Sequence, residues 1–271
     1  MRYSITHKTC FEFDQAPGAV IQRLHLTPQD SPGQQVIEWH IEIEGGTLEL
    51  ATTDFHGNSV HLCRHDPLAD AITITCGGHV QVDDLGGIVG PHDSAVPLAH
   101  FLQPTPLSTP GPRLRLLVRE LDGLQKSGDL SEPALMHHLS ARVLDSIAYT
   151  RDVTDVTTTA EKAMELGAGV CQDHVHAFIA IARRLGFAAR YVSGYLMMDD
   201  TQIQSASHAW AEVHLDGLGW VGFDISNAIS PDQRYIKLAT GFDYVDVIPV
   251  SGVRFGAGGE QISTRIMVEQ Q

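Results

Sequence analysis

Apolar and polar residues alternate along the first third of the chain and then recur at helical spacing, so strands are expected first and helices second. Val36-Ile37-Glu38-Trp39-His40-Ile41-Glu42-Ile43 alternates over its latter half, with the two-residue period of a half-buried strand. Gly45-Gly46 follows as a turn, then Leu48-Glu49-Leu50-Ala51, and Asp54-Phe55-His56-Gly57-Asn58 is a second turn. Ser59-Val60-His61-Leu62-Cys63 and Ala71-Ile72-Thr73-Ile74-Thr75-Cys76 add short strands. Residues 1–90 therefore predict an N-terminal antiparallel β-sandwich-like domain or a small barrel.

Residues 91–112 hold six prolines: Pro91, Pro97, Pro104, Pro106, Pro110 and Pro112. That density excludes both a helix interior and a central strand, so this is a connector. Val96, Leu98, Phe101 and Leu102 make it apolar enough to lie on a surface. The pattern then becomes helical, and residues 113–271 are expected to form an α+β core. Leu114, Leu117, Val118 and Leu121 recur on one face after Pro112, with Gly123 or Gly128 as the stop. Ser131-Glu132-Pro133 opens a second helix through Leu135, Leu139, Val143 and Ile147.

The most informative segment runs from Gly167 to Gly186. Glycines turn the chain sharply and Cys171 stands where a helix starts. Val175, Phe178, Ile179, Ala182 and Leu185 form its apolar face, and Gly186 suits a left-handed stop. Asp173 in the first turn and Arg183-Arg184 in the last match the helix dipole. A strand from Ala188 to Leu196 and a polar loop around Asp199-Asp200-Thr201-Gln202 follow. In Ser207–Leu215, alternation places His208, Trp210, Glu212 and His214 on one face and Ala209, Ala211, Val213 and Leu215 on the other. Asp216-Gly217-Leu218-Gly219 is a hairpin turn and Trp220–Asp224 the return strand. If Leu215 pairs with Gly219, Asp224 faces Trp210 and lies diagonal to His208, within reach of its ring. A register shifted by one would separate them.

Composition narrows the class. The chain has 271 residues, 43% of them hydrophobic, which is enough for a sizeable core. Its net charge of −15 argues against partners with phosphate backbones and against anionic membrane surfaces. No run approaches the roughly 18 apolar residues that span a bilayer. Met1-Arg2-Tyr3-Ser4-Ile5-Thr6-His7-Lys8 lacks a secretory pattern, so a cytoplasmic location is expected. Cys10, Cys63, Cys76 and Cys171 are widely spaced, which fits neither a disulfide framework nor a zinc site.

A thiol at a helix start feels the positive end of the dipole and unpaired N–H groups, which favour the thiolate a nucleophile requires and can also hold an oxyanion. The competing reading is a buried structural cysteine. Cys10, Cys63 and Cys76 lack the helix-start context and are assigned to the core. With Cys171 as nucleophile, His208 is the expected general base and acid, and Asp224 the group orienting its imidazole.

Four segments carry a family resemblance: Gly169-Val170-Cys171-Gln172-Asp173, Ala189-Arg190-Tyr191-Val192-Ser193-Gly194-Tyr195, His208-Ala209-Trp210-Ala211-Glu212-Val213 and Trp220-Val221-Gly222-Phe223-Asp224. They resemble successive motifs of the transglutaminase-like superfamily, in particular its bacterial branch of cysteine-protease-like members. Leu24-His25-Leu26-Thr27-Pro28 and Asp54-Phe55-His56-Gly57-Asn58-Ser59-Val60 resemble the β domain that precedes the core there. Gly241–Val247, Pro249 and Gly252-Val253 fit the same pattern. The resemblance implies a papain-like core and a triad at Cys171, His208 and Asp224. One departure is His174, at a position that is usually aromatic, with the expected His two residues on at His176. An imidazole at 174 could change site polarity, act on the thiol or face solvent. Tyr149 is a weak candidate for a second oxyanion donor.

Other signals have plainer readings. His174 with His176, and His137 with His138, do not share a helical face and lack a third ligand, so no metal is assigned. Asp199-Asp200, and Asp243 with Asp246, are read as solvated acidic loops rather than calcium ligands. Gly256-Ala257-Gly258-Gly259 is a loop without the residues of a phosphate cradle. Trp210 and Trp220 share the parity of His208 and Asp224 and are expected to wall the site. The resulting expectation is a cofactor-independent thiol enzyme acting on a peptide or protein substrate through an acyl-enzyme, with hydrolysis ahead of amine transfer. The rival is a binding module that keeps the fold without turnover. Self-association is left open.

Overall fold

The computed structural model describes residues 1–67, 69–198, 203–256 and 258–271. The polar loop at 199–202, with its Asp199-Asp200 pair, and Ala257 of the glycine-rich loop lie outside them. Six strands open the chain: β1 (Arg2–Phe13), β2 (Ala19–Leu24), β3 (Gln34–Glu44), β4 (Gly46–Thr53), β5 (Ser59–His65) and β6 (Ala71–Val82). After β7 (Ile88–Gly90) come α1 (Pro112–Ser127), α2 (Glu132–Ser146), β8 (Ala148–Tyr149), α3 (Ala160–Leu166), β9 (Ala168–Gly169) and α4 (Cys171–Arg184). Seven strands end the chain: β10 (Ala189–Leu196), β11 (Ile203–Gln204), β12 (His208–Leu215), β13 (Gly219–Phe223), β14 (Tyr235–Gly241), β15 (Val250–Phe255) and β16 (Glu260–Gln270).

The fold is α+β, with the N-terminal part a pair of antiparallel sheets ordered β11-β16-β1-β6-β3 and β15-β2-β5-β4. Strict alternation in β1 buries Tyr3, Ile5, His7, Thr9, Phe11 and Phe13 on one face. The far half of that face, with Phe11 and Phe13, packs with Leu24 and Cys63 of the second sheet, which makes the sandwich. Its near half, with Tyr3 and Ile5, packs against Tyr195, Ile236 and Leu238 of the core sheet. One long strand face thus joins the two bodies.

The division of sheets differs from the expected break after residue 112. The last two strands leave the core and return to the N-terminal body, β15 pairing with β2 and β16 with β1 over their full lengths. Without β16, β1 would be an open edge, and edge strands recruit any extended segment within reach. Conversely β7, from the first 90 residues, closes the edge of the core sheet β14-β10-β12-β13-β7. The core buries α1, α2 and α4 against Ala189, Tyr191, Ala211, Val213 and Leu215, the apolar parity set of β10 and β12. Of the two candidate stops for α1, the chain uses Gly128, whose φ of 72° only glycine adopts without cost. The connector is anchored by Val96 and Phe101, which pack on Trp220. Arg183 helps fix it: its guanidinium is buried and donates to Ser108 Oγ (3.0 Å) as well as to the Ala189 and Phe242 carbonyls, so its part goes beyond the helix dipole. No helix among the described residues is long and apolar enough to cross a membrane.

Because Ile266 of β16 is fully buried beside Ile5 and Tyr195, Ile266→Ala is expected to cost about 2–5 kcal/mol in a denaturant melt, as for other core truncations. A cost within 0.5 kcal/mol, the range for surface positions, would mean that β16 is not part of the core.

Candidate active site

The helix carrying Cys171 starts without a side-chain oxygen at its N-cap, which is Val170 in an extended conformation. Asp173 supplies what the cap lacks: its Oδ2 accepts the Val170 N–H at 2.8 Å and the Thr154 hydroxyl at 2.7 Å. Burial pushes the Asp173 carboxyl up, and these donors oppose that. A Cβ at residue 169 would meet Asp173 Oδ2 at 2.7 Å and its Cβ at 2.8 Å, so the glycine is needed for the close approach. The turn places half-buried Cys171 at the first helical position, where backbone N–H groups have no acceptor within the helix and point outward.

His208 begins β12 and Asp224 follows β13. The hairpin has the anticipated register, Leu215 opposite Gly219 and Ala211 opposite Phe223. Continued by one residue, it puts Asp224 diagonal to His208, and Oδ2 meets Nε2 at 2.6 Å. The Cys171 side chain lies close enough to the same ring to raise its pKa. With Nε2 taken, Nδ1 is the nitrogen left for the sulfur. All three sequence-selected residues therefore meet, with His208 in the middle.

Asp224 is wholly buried and needs several donors to stay ionised there. Besides His208 it accepts Asn227 Nδ2 (2.7 Å) and the Tyr235 hydroxyl (2.7 Å) on Oδ2, and the Asn227 N–H (3.2 Å) on Oδ1. Burial raises its carboxyl; the His208 bond and these donors win, and it lies below the usual carboxylate range. Its backbone is locked by a reciprocal bridge to Ile229, closed through Ala228 at a left-handed φ of 55°. Asn227 and Tyr235 escaped the sequence reading. Asn227 had only its nearness to Asp224 as a signal, and Tyr235 lies on β14, two strands from β12, a pairing that local pattern does not reveal.

Of the two expected wall residues, one is at the site. The Trp210 ring lies nearly parallel to His208 with centroids 6.4 Å apart and packs edge-on against Tyr235. Trp220 has the right parity and the wrong end of the sheet: it pairs across the hairpin with His214 and packs on Phe101 and His92 of the connector. His174 does not face solvent. It is buried, and Nε2 bonds the Ile147 carbonyl at 2.9 Å, so Nε2 carries the proton and Nδ1 accepts from Ser226 Oγ at 2.8 Å. Burial lowers its pKa. The bond ties the helix of Cys171 to the loop of Asp224. Tyr149, half-exposed, lies close enough for Cys171 to act on its phenol electrostatically; burial first and Cys171 second raise its pKa, which keeps the hydroxyl a donor.

Asp243 and Asp246 are not the solvated pair expected. Asp243 is buried and accepts the Val245 N–H, and Asp246 accepts the Phe242 N–H and faces His56. Among the described residues no group of three His, Cys, Asp or Glu side chains is placed to hold a metal ion.

Comparison with known proteins matches two stretches of the chain. Residues 124–225 match the transglutaminase-like superfamily and residues 3–81 the bacterial transglutaminase-like N-terminal region. The uncharacterized protein Rv2569c of Mycobacterium tuberculosis is 28% identical over 93% of this chain and 87% of its own length. ML0607 of Mycobacterium leprae is 25% identical over 98% of each. A crystal structure from Cytophaga hutchinsonii, provisionally assigned as a cysteine protease, superposes with a TM-score of 0.77 over 99% of this chain and 90% of its own at 17% identity, which establishes a shared fold.

Burial alone would lower the pKa of His208, but the Asp224 bond and Cys171 outweigh it and raise the ring to about 10. In the unfolded chain an imidazole titrates near 6.5. Below that pH the ring is charged in both states and the pair's contribution to stability is complete; as pH rises towards about 10 it is progressively lost. In an NMR titration the His208 ring is expected to stay protonated through neutrality, and Asp224→Asn to bring its titration down. An inflection near pH 6.5 in the unmodified protein, about the free-imidazole value, would contradict this electrostatic picture.

Proposed function

We propose that this chain, a transglutaminase-like core joined to a bacterial transglutaminase-like N-terminal region, is a cysteine-dependent acyl-transfer enzyme that hydrolyses peptide or amide bonds through a thioester. The observation that carries the reading is the chain of contacts from buried Asp224 through His208 to Cys171, with Nε2 held at 2.6 Å. A structural cysteine has no need of an imidazole steered by a carboxylate with four donors.

In the first half-reaction the Cys171 sulfur attacks the carbonyl carbon and a C–S bond forms. The carbonyl oxygen becomes an oxyanion beside the first amides of α4, including that of Cys171, where the dipole favours negative charge. The oxyanion collapses, the C–N bond breaks, and the leaving nitrogen takes the proton from His208. His208, now neutral, accepts a proton from water as its oxygen attacks the thioester. The sulfur leaves as the carboxylic acid product forms. Asp224 keeps the ring in one orientation and stabilises its charged form without itself taking the proton. Trp210 and Tyr235 shield the back of the ring from water. Water as acceptor follows the protease assignment of the Cytophaga relative.

Two measurements test this. Iodoacetamide at about pH 6 is expected to alkylate Cys171 ahead of the other thiols, since a thiol beside a charged imidazole is the more reactive one. Cys63 and Cys76 are pushed up by burial to about 11 and about 12 and stay protonated. His208→Ala should abolish the preference and lower turnover by about 10²–10⁴-fold. Equal labelling of all four cysteines would favour a binding module. Offered a glutamine-containing peptide with a labelled amine, the enzyme is expected to release free acid; label in the product would make it a transferase.

A further inference from the structure

The face of the core sheet turned away from the helices carries a buried ion cluster with unequal charge. Arg190, on β10, pairs across the strands with Glu212 of β12 and bonds its Oε2 through Nε at 2.6 Å. Lys237, on β14, approaches Glu212 Oε1 at 3.4 Å. Glu212 is 1% exposed, so two cations share one desolvated carboxylate. The Arg190 guanidinium also lies over the Trp220 ring at 4.2 Å. The Lys237 ammonium has three N–H donors, and one long contact to Glu212 leaves donors to spare. Burial lowers its pKa while Glu212 and Asp93 oppose that.

Both cations border a cleft of about 510 Å³ between the core sheet and the N-terminal body, within the roughly 300–1,000 Å³ range of small-molecule sites. The N-terminal body is fixed across it: Gln34 bonds both backbone groups of Lys237, and Asn58 bonds both of Thr240. Asp30, Asp54 and Asp93 line the cleft as well. Asp54 is already satisfied by the amides of His56 and Asn58 and the Asn58 side chain. Asp30 uses one oxygen on the Val36 N–H, and Asp93 lies close enough to Lys237 to favour its charged form. Cations and carboxylates lining one cleft are complementary to a molecule that carries both charges.

We propose that this cleft binds a small zwitterion of the free amino-acid or short-peptide class, its carboxylate on Lys237 and Arg190 and its ammonium towards Asp93 and Asp30. The site stands on the cleft and its charges and does not depend on the acyl-transfer reading. Cys171 does not line it.

The test is calorimetric titration of full-length Cys171→Ala protein, which cannot turn the probe over, with L-alanyl-L-alanine and with L-alanine. Saturable binding of either is expected, and the tighter one tells a peptide end from a free amino acid. Blocking the amine by acetylation or the carboxylate as an amide should each weaken binding by about tenfold or more, the size of a lost charge-assisted bond. Lys237→Met should do the same while Glu212 keeps Arg190 as partner. If that variant fails to fold, Asp93→Asn, in the cleft lining, should still weaken the dipeptide and leave its acetylated form unaffected. No saturable binding by either probe, equal affinity for the blocked probes, or unchanged affinity in the two variants would overturn the proposal.

Discussion

A carboxylate that water cannot reach organises this molecule's chemistry. Taking an ionised group into a protein interior costs several kcal/mol unless it is paired and hydrogen-bonded. Asp224 meets that condition with three donors on one oxygen and a backbone amide on the other. The donors come from three places: β12, the loop after β13, and β14. The carboxylate is therefore stable only when the sheet has closed around it. His208 inherits the consequence, because a charge that cannot be solvated holds the neighbouring imidazole in its charged form and in one orientation.

The Cys171 side is built by a different device. Glycine at 169 lets Asp173 fold back on the helix start, and His174 reaches from the first turn to Ser226 in the Asp224 loop. Helix and loop are thereby registered against each other through an imidazole that is neutral and serves only as a strut. Two histidines within five positions of the thiol, His174 and His176, are both buried and both pushed below their ordinary value by burial. His208 alone among the three is raised, because it alone has a carboxylate bonded to its ring. Position relative to one charge separates the catalytic candidate from the structural ones.

The two bodies are joined through Tyr195, Ile236 and Leu238 of the core sheet. One long strand, β1, spends half its apolar face on the sandwich and half on the core, and β16 covers its edge. Polar ties reinforce the joint: Gln34 and Asn58 saturate backbone groups of β14, the edge strand of the core sheet among the described residues. The ion cluster of Arg190, Glu212 and Lys237 borders that joint, where Gln34 holds the backbone of Lys237.

Local rules of the chain determined a good deal. Period-two alternation set the faces of β12, the Asp-Gly turn set the hairpin register, and a glycine-flanked cysteine before an amphipathic stretch marked the start of α4. From these, the meeting of His208 and Asp224 was legible, since two residues on one hairpin are placed by counting. What lay beyond counting were pairings between elements distant in sequence: Tyr235 with Asp224, Lys237 with Glu212, Trp220 with the connector, and β16 with β1. Parity tells which face a side chain is on and says nothing of which neighbour covers that face. That choice belongs to the tertiary structure, where burial and charge are shared among strands that the chain order keeps apart.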